Sequence, residues 1–507
     1  MQETSEQSRD VPSATVFPWY LAVLTGAGVL YALTCAPGML WQDSAFYVWR
    51  IWNNDIEGIM GLALSHPLYI IMGIAVKHIP LGELAWRLNF MSAVFGAVAV
   101  ANLFLLLRLW LGRLLPALIG AVTLAVSWTF WQQSVMAEVY TLHAAVMLGE
   151  LIVLLQYIRT KRPAYLYLLG LFNGLAIANH MWAVFGFACY TAFLFVLLVR
   201  RQLGVKHFGI IVLMWAIGAL PYEYLIIKNI ILSGDVQATL VSAMFGRLWQ
   251  ANVLNVSMSV KIVLENIIFV LLNFPTPNFV LLFVGLWALW KKAPSRSFVN
   301  IVLALLVLYF AFAFRYTVAD RYVFFLPFYC FAAIVIGLGA DVILRRYEHK
   351  ALALIMVMFA LLPIPIYYAT PAGARKVYKP LGQRRQRPYR DEYDYFLQPW
   401  KTGYRGAERF ADEALNGVEE NAIIYADSTI VHLLLYMRQA KSERSDVKIV
   451  SKYYSSENAP DFTKDTIERL FESSPVYVVS PLPGYCPSFL LQRYKFEQAG
   501  VLWKVID

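Results

Sequence analysis

The chain has 507 residues, of which 59% are hydrophobic and 15% charged, with a mean hydropathy of +0.55. Soluble domains carry roughly a quarter charged residues, so a string of water-soluble domains is excluded. The charge is also uneven, since residues 370–507 hold 38 of the 76 charged side chains and leave the first 369 residues with a predominantly apolar character; this pattern implies a membrane-embedded body with one soluble domain at the C-terminus.

Residues 1–16 are polar and read as a short cytoplasmic segment. The apolar run 17–36 is long enough to span and has no small-x-small cleavage site, so it is expected to be a retained helix and not a signal peptide. Spanning takes about 20 apolar residues. Further runs of that kind lie at 85–108, 113–131, 138–158, 163–180, 181–199, 207–227, 277–290, 297–314, 321–343 and 350–369, which makes eleven spans. Two shorter stretches, 66–80 and 261–273, read as juxtamembrane or half-inserted helices. With the N-terminus in the cytoplasm, fifteen Lys and Arg fall in short cytoplasmic turns and eight on the opposite side of the body. The positive-inside rule then places the C-terminal domain outside the cytoplasm, in a multi-pass protein of a plasma, inner or endoplasmic reticulum membrane. The net charge of +10 is on this reading a mark of topology, and nucleic acid is not an expected partner. Cys35, Cys189, Cys330 and Cys486 are scattered, with no CxxC or metal-ligand spacing.

The polar residues of the body collect on the outer side. Asp43 and His66 lie in the connection after the first span, Glu138 and Tyr140 in a later one, then Asn179-His180 and Asp320-Arg321, all beneath a loop expected at 228–260. Singly, each has a structural explanation. Asp43 and Glu138 sit near helix starts, where an acid caps or meets the helix dipole; His66 precedes Pro67 at an interface; Asp320 and Arg321 can pair to anchor a span. Collected on one side of a bilayer, ionisable groups are costly to keep and point to a functional site.

The order of these residues resembles a known family. An Asp in the first outer loop is followed by His66-Pro67-Leu68-Tyr69, then Trp86-Arg87-Leu88-Asn89 with Ser92-Ala93-Val94-Phe95-Gly96-Ala97. Ala137-Glu138-Val139-Tyr140-Thr141-Leu142 and Gly174-Leu175-Ala176-Ile177-Ala178-Asn179-His180 come next, and Ala422–Thr429 and Asp446–Val450 in the tail fit as well. The series is similar to the uncharacterised-domain branch of the GT-C membrane glycosyltransferases that includes the O-mannosyltransferase of plexin-type receptors. It departs from that pattern at Ala45, Phe46 and Tyr47, where the family has a second acid, and after His66-Pro67.

The resemblance implies a polytopic α-helical membrane protein of GT-C type, with residues 17–369 as the catalytic body. It implies transfer of a sugar, mannose favoured, from a polyprenyl-phosphate carrier to a hydroxyl of a protein or glycan acceptor, with inversion. Asp43 would be the general base, and Glu138 and Tyr140 the second acid and acceptor-orienting groups. His66, Asn179, His180, Asp320 and Arg321 would bind the donor sugar and phosphate, where a guanidinium best meets developing negative charge. Use of a divalent metal is left open, and the polyprenyl-phosphate sugar is the donor substrate.

After the last span, residues 372–405 carry nine Lys and Arg against three acids, interleaved with aromatics. Within 370–410 this reads as a basic collar lying on anionic headgroups, with guidance of the donor phosphate as a second role. Residues 411–507 read as a small extracytoplasmic α/β domain, with strands at 422–426, 447–450, 476–480 and 501–506 and helices at 429–438 and 463–472. A transporter or flippase is the rival reading, but such proteins place ionisable groups near the bilayer midplane, and here they gather at one face.

Overall fold

The computed structural model describes residues 13–318, 320–377, 387–441, 444–452, 462–471 and 473–506. Most of the expected N-terminal segment, the collar cations Lys379, Arg384 and Arg385, and Glu472 at the end of an expected helix lie outside these residues. In chain order the body runs α1 (Ser13–Thr34), α2 (Asp43–Trp52), α3 (Pro67–Lys77), α4 (Leu84–Leu111), α5 (Leu114–Ala125) and α6 (Trp128–Ser134). It continues with α7 (Tyr140–Thr160), α8 (Ala164–Asn179), α9 (Ala183–Val199), α10 (Val205–Ser233), α11 (Val236–Phe245) and α12 (Gln250–Val253). Then come α13 (Val260–Asn273), α14 (Val280–Ala288), α15 (Arg296–Arg315), α16 (Leu326–Arg346), α17 (Lys350–Leu361) and α18 (Pro363–Val377).

Helices apolar on every face are stable only when lipid or other helices surround them. Among the described residues, six helices are long and apolar enough to cross a membrane: α1, α4, α7, α10, α15 and the run Arg321–Arg346. Three bent pairs raise the number to nine: α5 with α6 at 68°, α13 with α14 at 109°, and α17 with α18 at 42°. The apolar helices α8 and α9, of 16 and 17 residues, correspond to the other two of the eleven expected spans. The chain is a multi-pass membrane protein.

Two expectations change in detail. The stretch 261–273 is the first limb of the sharply bent α13–α14 pair and continues into the expected span 277–290. Residues 228–260, expected as a loop, are largely helical, and α11 is tied to the 60–64 segment by Leu62 N–H to Ser242 Oγ at 3.0 Å and Arg247 N–H to Met60 O at 3.0 Å.

Small residues set the closest helix crossings. A Cβ on Gly174 of α8 would collide with the Trp215 carbonyl of α10, and one on Gly218 of α10 would collide with the Leu171 carbonyl of α8. Gly285 of α14 and Gly339 of α16 meet in the same way. Backbones this close gain van der Waals contact that lipid does not offer. Polar groups within the bundle find partners: Glu150 accepts from Asn173 and from the Tyr190 hydroxyl, each at 3.1 Å. At the end of the bundle far from the C-terminal domain, buried Asp341 joins Arg113, Lys292 and Arg345 at 3.0–3.2 Å, fastening α16 to its neighbours.

The C-terminal domain holds β1 (Ile423–Tyr425), β2 (Lys448–Val450), β3 (Val476–Val478), β4 (Lys495–Ala499) and β5 (Leu502–Ile506) in the order β2-β1-β3-β5-β4. The first three are parallel, with Ile424 opposite both Ile449 and Tyr477, and β5 runs antiparallel to β3 and β4. The four expected strands and both helices are found with small boundary shifts, the helices as Val431–Lys441 and Lys464–Leu470. Helix Gly406–Asn416 and strand β4 add to the expected set. The helix buries Ala407, Phe410, Ala411, Ala414 and Leu415 on one face, and β4 is a half-polar edge strand whose pattern is weak.

Candidate active site

One asparagine fixes the frame of the site. Asn89 of α4 donates through Nδ2 to Ala36 O at 3.0 Å and Gly38 O at 2.8 Å, and its Oδ1 accepts from Ala137 N–H at 2.8 Å. It thereby joins the connection that carries Asp43 to the one that carries Glu138. One turn on, the Ser92 hydroxyl accepts from Glu138 N–H at 3.1 Å, and Thr141 Oγ1 donates to Ser92 O at 3.0 Å. Arg50 of α2, fully buried, donates to the carbonyls of Asp55, Ile56, Leu64 and Ser65 and so shapes the loop ahead of His66. Gln42 and His66 both adopt positive φ, +58° and +46°. Such backbone costs a non-glycine residue free energy and tends to persist where surrounding structure enforces it at a site.

Three carboxylates face one another at this end of the bundle. Asp43 opens α2, makes no hydrogen bond to a described residue, and therefore does not act as a side-chain cap. It is reachable by water yet crowded by protein, as at the floor of a cleft. Burial, and then the charge of Asp320, push its carboxyl up to about 7. Burial also raises Asp320. Glu138 is buried, with Oε2 lacking any partner among the described residues. Burial and the charges of Asp43 and Asp320 hold it well above the usual carboxylate range.

Beside the carboxylates lies a layer of rings. His66 and His180 stack with centroids 5.1 Å apart, and Tyr140 packs on His180 at 5.6 Å. His66 Nδ1–H donates to Asn179 O at 2.7 Å, so its Nε2 is left as an acceptor; burial pushes its pKa down to about 4, and the ring is neutral at pH 7. His180 Nδ1 accepts from Trp182 N–H at 3.1 Å, which leaves Nε2–H as a donor. Asn179 Nδ2 donates to Val139 O at 3.0 Å and ties this layer to the Glu138 connection. His143 joins the ring layer at 5.9 Å from His180; the sequence carries it one helical turn past Val139, a spacing that signals its placement. Arg321 is engaged by α13. Its guanidinium pairs with Glu265 of α13, its Nε–H donates to Asn266 Oδ1 at 3.2 Å, and it covers the Phe269 ring.

The whole molecule, membrane body and domain together, superposes on enzymes of known architecture. ArnT from Cupriavidus metallidurans, in its crystal structure bound to undecaprenyl phosphate, aligns with a TM-score of 0.61 over 96% of this chain and 98% of that one, at 14% identity. The Archaeoglobus fulgidus oligosaccharyltransferase tethered with an acceptor peptide aligns with a TM-score of 0.53 over 90% of this chain and 69% of that one, also at 14% identity. The fold is the GT-C fold. Residues 64–204 match the family model described as the Protein O-mannosyl-transferase TMEM260 N-terminal domain. Protein O-mannosyl-transferase TMEM260 of Mus musculus is 25% identical over 236 residues, which cover 43% of this chain and 32% of that protein. The alignment thus reaches about a third of that relative's length. The family to which the residue series pointed is the one that matches.

In this GT-C chain, no three His, Cys, Asp or Glu side chains among the described residues stand close enough together to hold a metal ion. The carboxylates and histidines as placed do not form a ligand set, and no chemical step is derived through a metal. The collar also differs from its expected place on headgroups. Of its described residues, Arg387, Arg390 and Lys401 are buried against the protein while Arg375 and Arg405 stay exposed, and Trp41 beside Asp43 donates its indole N–H to the Tyr404 hydroxyl at 2.7 Å.

Proposed function

We propose that the chain is a membrane glycosyltransferase of residues 17–369, completed by the collar 370–410 and the α/β domain 411–507, which moves a sugar from a polyprenyl-phosphate carrier to an acceptor hydroxyl. The observation that carries this reading is Asp43: accessible, free of capping bonds, and titrating near 7 among other acids. A general base works best with a pKa near the working pH. Asp43 takes the proton of the acceptor hydroxyl as that oxygen forms its bond to the anomeric carbon. The bond from that carbon to the phosphate oxygen breaks, its electron pair leaves with the lipid phosphate, and the anomeric centre inverts. Glu138, whose burial favours its neutral form, orients the acceptor together with Tyr140. His66 Nε2 accepts from a sugar hydroxyl, and His180 Nε2–H donates, with Asn179, Asp320 and Arg321 at the donor side.

The carrier is supported by the undecaprenyl phosphate bound in ArnT, a protein acceptor by the peptide on the archaeal enzyme, and mannose by the mouse relative's name. The excess of cations in the turns far from the α/β domain supports a cytoplasmic N-terminus, with transfer on the opposite face. The test is purified chain given polyprenyl-phosphate sugars and acceptor peptide, with free polyprenyl phosphate as readout. Asp43→Asn is expected to abolish release while membrane insertion and expression stay intact. Transfer at the wild-type rate in Asp43→Asn removes Asp43 from the base role, and solute uptake into vesicles without turnover replaces the enzyme with a transporter.

A further inference from the structure

The collar buries charge that its own residues do not balance. Arg387 and Arg390 have side chains only 8% and 10% exposed, and Lys401 is 3% exposed. Facing them are two buried acids: Glu392, 2.8 Å from Arg390 Nε, and Asp427, 4.0 Å from Arg387. Among the described residues this layer thus sets three cationic groups against two acids. Lys401 donates to the carbonyls of Tyr395, Gln398 and Trp400 at 2.8–3.3 Å. Burial, and then the charge of Arg390, push its pKa down to about 7. A buried guanidinium is costly unless every N–H finds an acceptor, yet Arg390 Nη1 is buried with no partner among the described residues.

The layer lies against the candidate active site. Both guanidiniums pack on the Trp41 ring, at 5.8 and 5.9 Å, and Trp41 is two residues from Asp43. Tyr322 lies within electrostatic reach of Asp320 and Glu138 and also of Arg390. Arg390 further covers the Tyr395 ring at 4.5 Å. From the unpartnered Nη1, the burial of both guanidiniums and their place beside Trp41, we infer that Arg390, seconded by Arg387, holds the phosphate of the polyprenyl-phosphate carrier. The assignment rests on the glycosyl-transfer reading above and deepens it. Arg390 Nη1–H donates to a phosphate oxygen, which supplies the absent acceptor in a charge-assisted hydrogen bond. As the bond to the sugar breaks, the charge arriving on that phosphate strengthens the same hydrogen bond. Arg321, whose guanidinium Glu265 already neutralises, contributes less.

The test uses the full chain in nanodiscs of neutral phospholipid, titrated with undecaprenyl phosphate and separately with undecaprenol. The wild-type chain is expected to prefer the phosphate. Arg390→Gln alone strands Glu392 in a buried site, so the decisive variant is Arg390→Gln with Glu392→Gln, which removes the pair. It is expected to bind the phosphate about tenfold to a hundredfold more weakly, the range of a charge-assisted hydrogen bond. Undecaprenol binding and thermal unfolding are expected to stay unchanged. Arg375→Gln, an exposed collar residue paired with Asp391 and Asp394, is expected to behave as wild type. Undiminished phosphate preference in the double variant overturns the assignment and leaves the enzyme reading standing. Equal competition by phosphatidylglycerol also overturns it, marking a general headgroup site. Absence of any phosphate preference in the wild-type chain overturns both the assignment and the choice of carrier.

Discussion

Asp43 and Asp320 share a field, so neither titrates alone. Burial raises both, and the charge of Asp320 raises Asp43 further. A base must be deprotonated to work, so transfer is expected to rise with pH through about 7, the value of Asp43. Asp320→Asn removes one negative charge. The Asp43 pKa must then fall, and the rising limb of the pH–rate profile should move to lower pH. A limb at the wild-type position in Asp320→Asn shows that the two carboxylates do not communicate. The acids themselves were legible, because a carboxylate in a chain of 15% charged residues stands out and three of them fell in connections on one side. Asn89 was visible only as part of a resemblance, since its work is done by hydrogen bonds to the distant carbonyls of Ala36 and Gly38 and to the N–H of Ala137. Arg390 was one of nine cations in a collar, and composition does not distinguish a buried guanidinium from one on a headgroup.

Hydropathy located the helices and missed their directions. The run 113–131 reads as one straight span, yet α5 and α6 meet at 68°, and α13 turns through 109° into α14. An apolar stretch has the same composition on either side of such a bend, so length carries the signal and geometry does not. Where helices cross, however, the sequence does mark the place by its small residues. A side chain on Gly174 would meet the Trp215 carbonyl, whereas one on Gly209, on the same helix α10 as Trp215, would have no atom within 4 Å of its Cβ. Gly174→Val is therefore expected to force α8 from α10 and to destabilise the protein by about 1–3 kcal/mol, the usual cost of overpacking. Gly209→Ala meets no obstacle and improves helix propensity by up to about 1 kcal/mol. Thermal unfolding in detergent separates the two, and equal melting temperatures would show that the α8–α10 crossing yields to a side chain.

At the scale of the molecule, the α/β domain grips the helix that presents Asp43. Gln42 N–H donates to Thr429 O at 3.0 Å and Asn53 Nδ2 to Gln439 Oε1 at 3.2 Å, while the end of the collar adds Glu408 Oε1, which accepts from Met39 N–H at 2.9 Å. At the centre, the His432 ring lies 4.7 Å from Phe46 and 5.5 Å from Trp49. The C-terminal quarter of the chain, which carries half the charge, is thus a structural arm of the candidate site. This contact depends on pH. Burial, and then the charge of Arg50, push the His432 pKa down to about 3, against about 6.5 in an unfolded or undocked chain. Above pH 6.5 both states are neutral and the contact is at full strength. As pH falls below 6.5 the undocked ring takes up a proton that the docked ring refuses. Docking therefore weakens by up to about 1.4 kcal/mol per pH unit, or about 2 kcal/mol at pH 5. Limited proteolysis of the α/β domain is expected to quicken between pH 7.5 and pH 5. In His432→Phe, which keeps the aromatic packing and cannot be protonated, that acceleration should largely vanish; if it persists unchanged, His432 is not the group that makes the docking acid-sensitive.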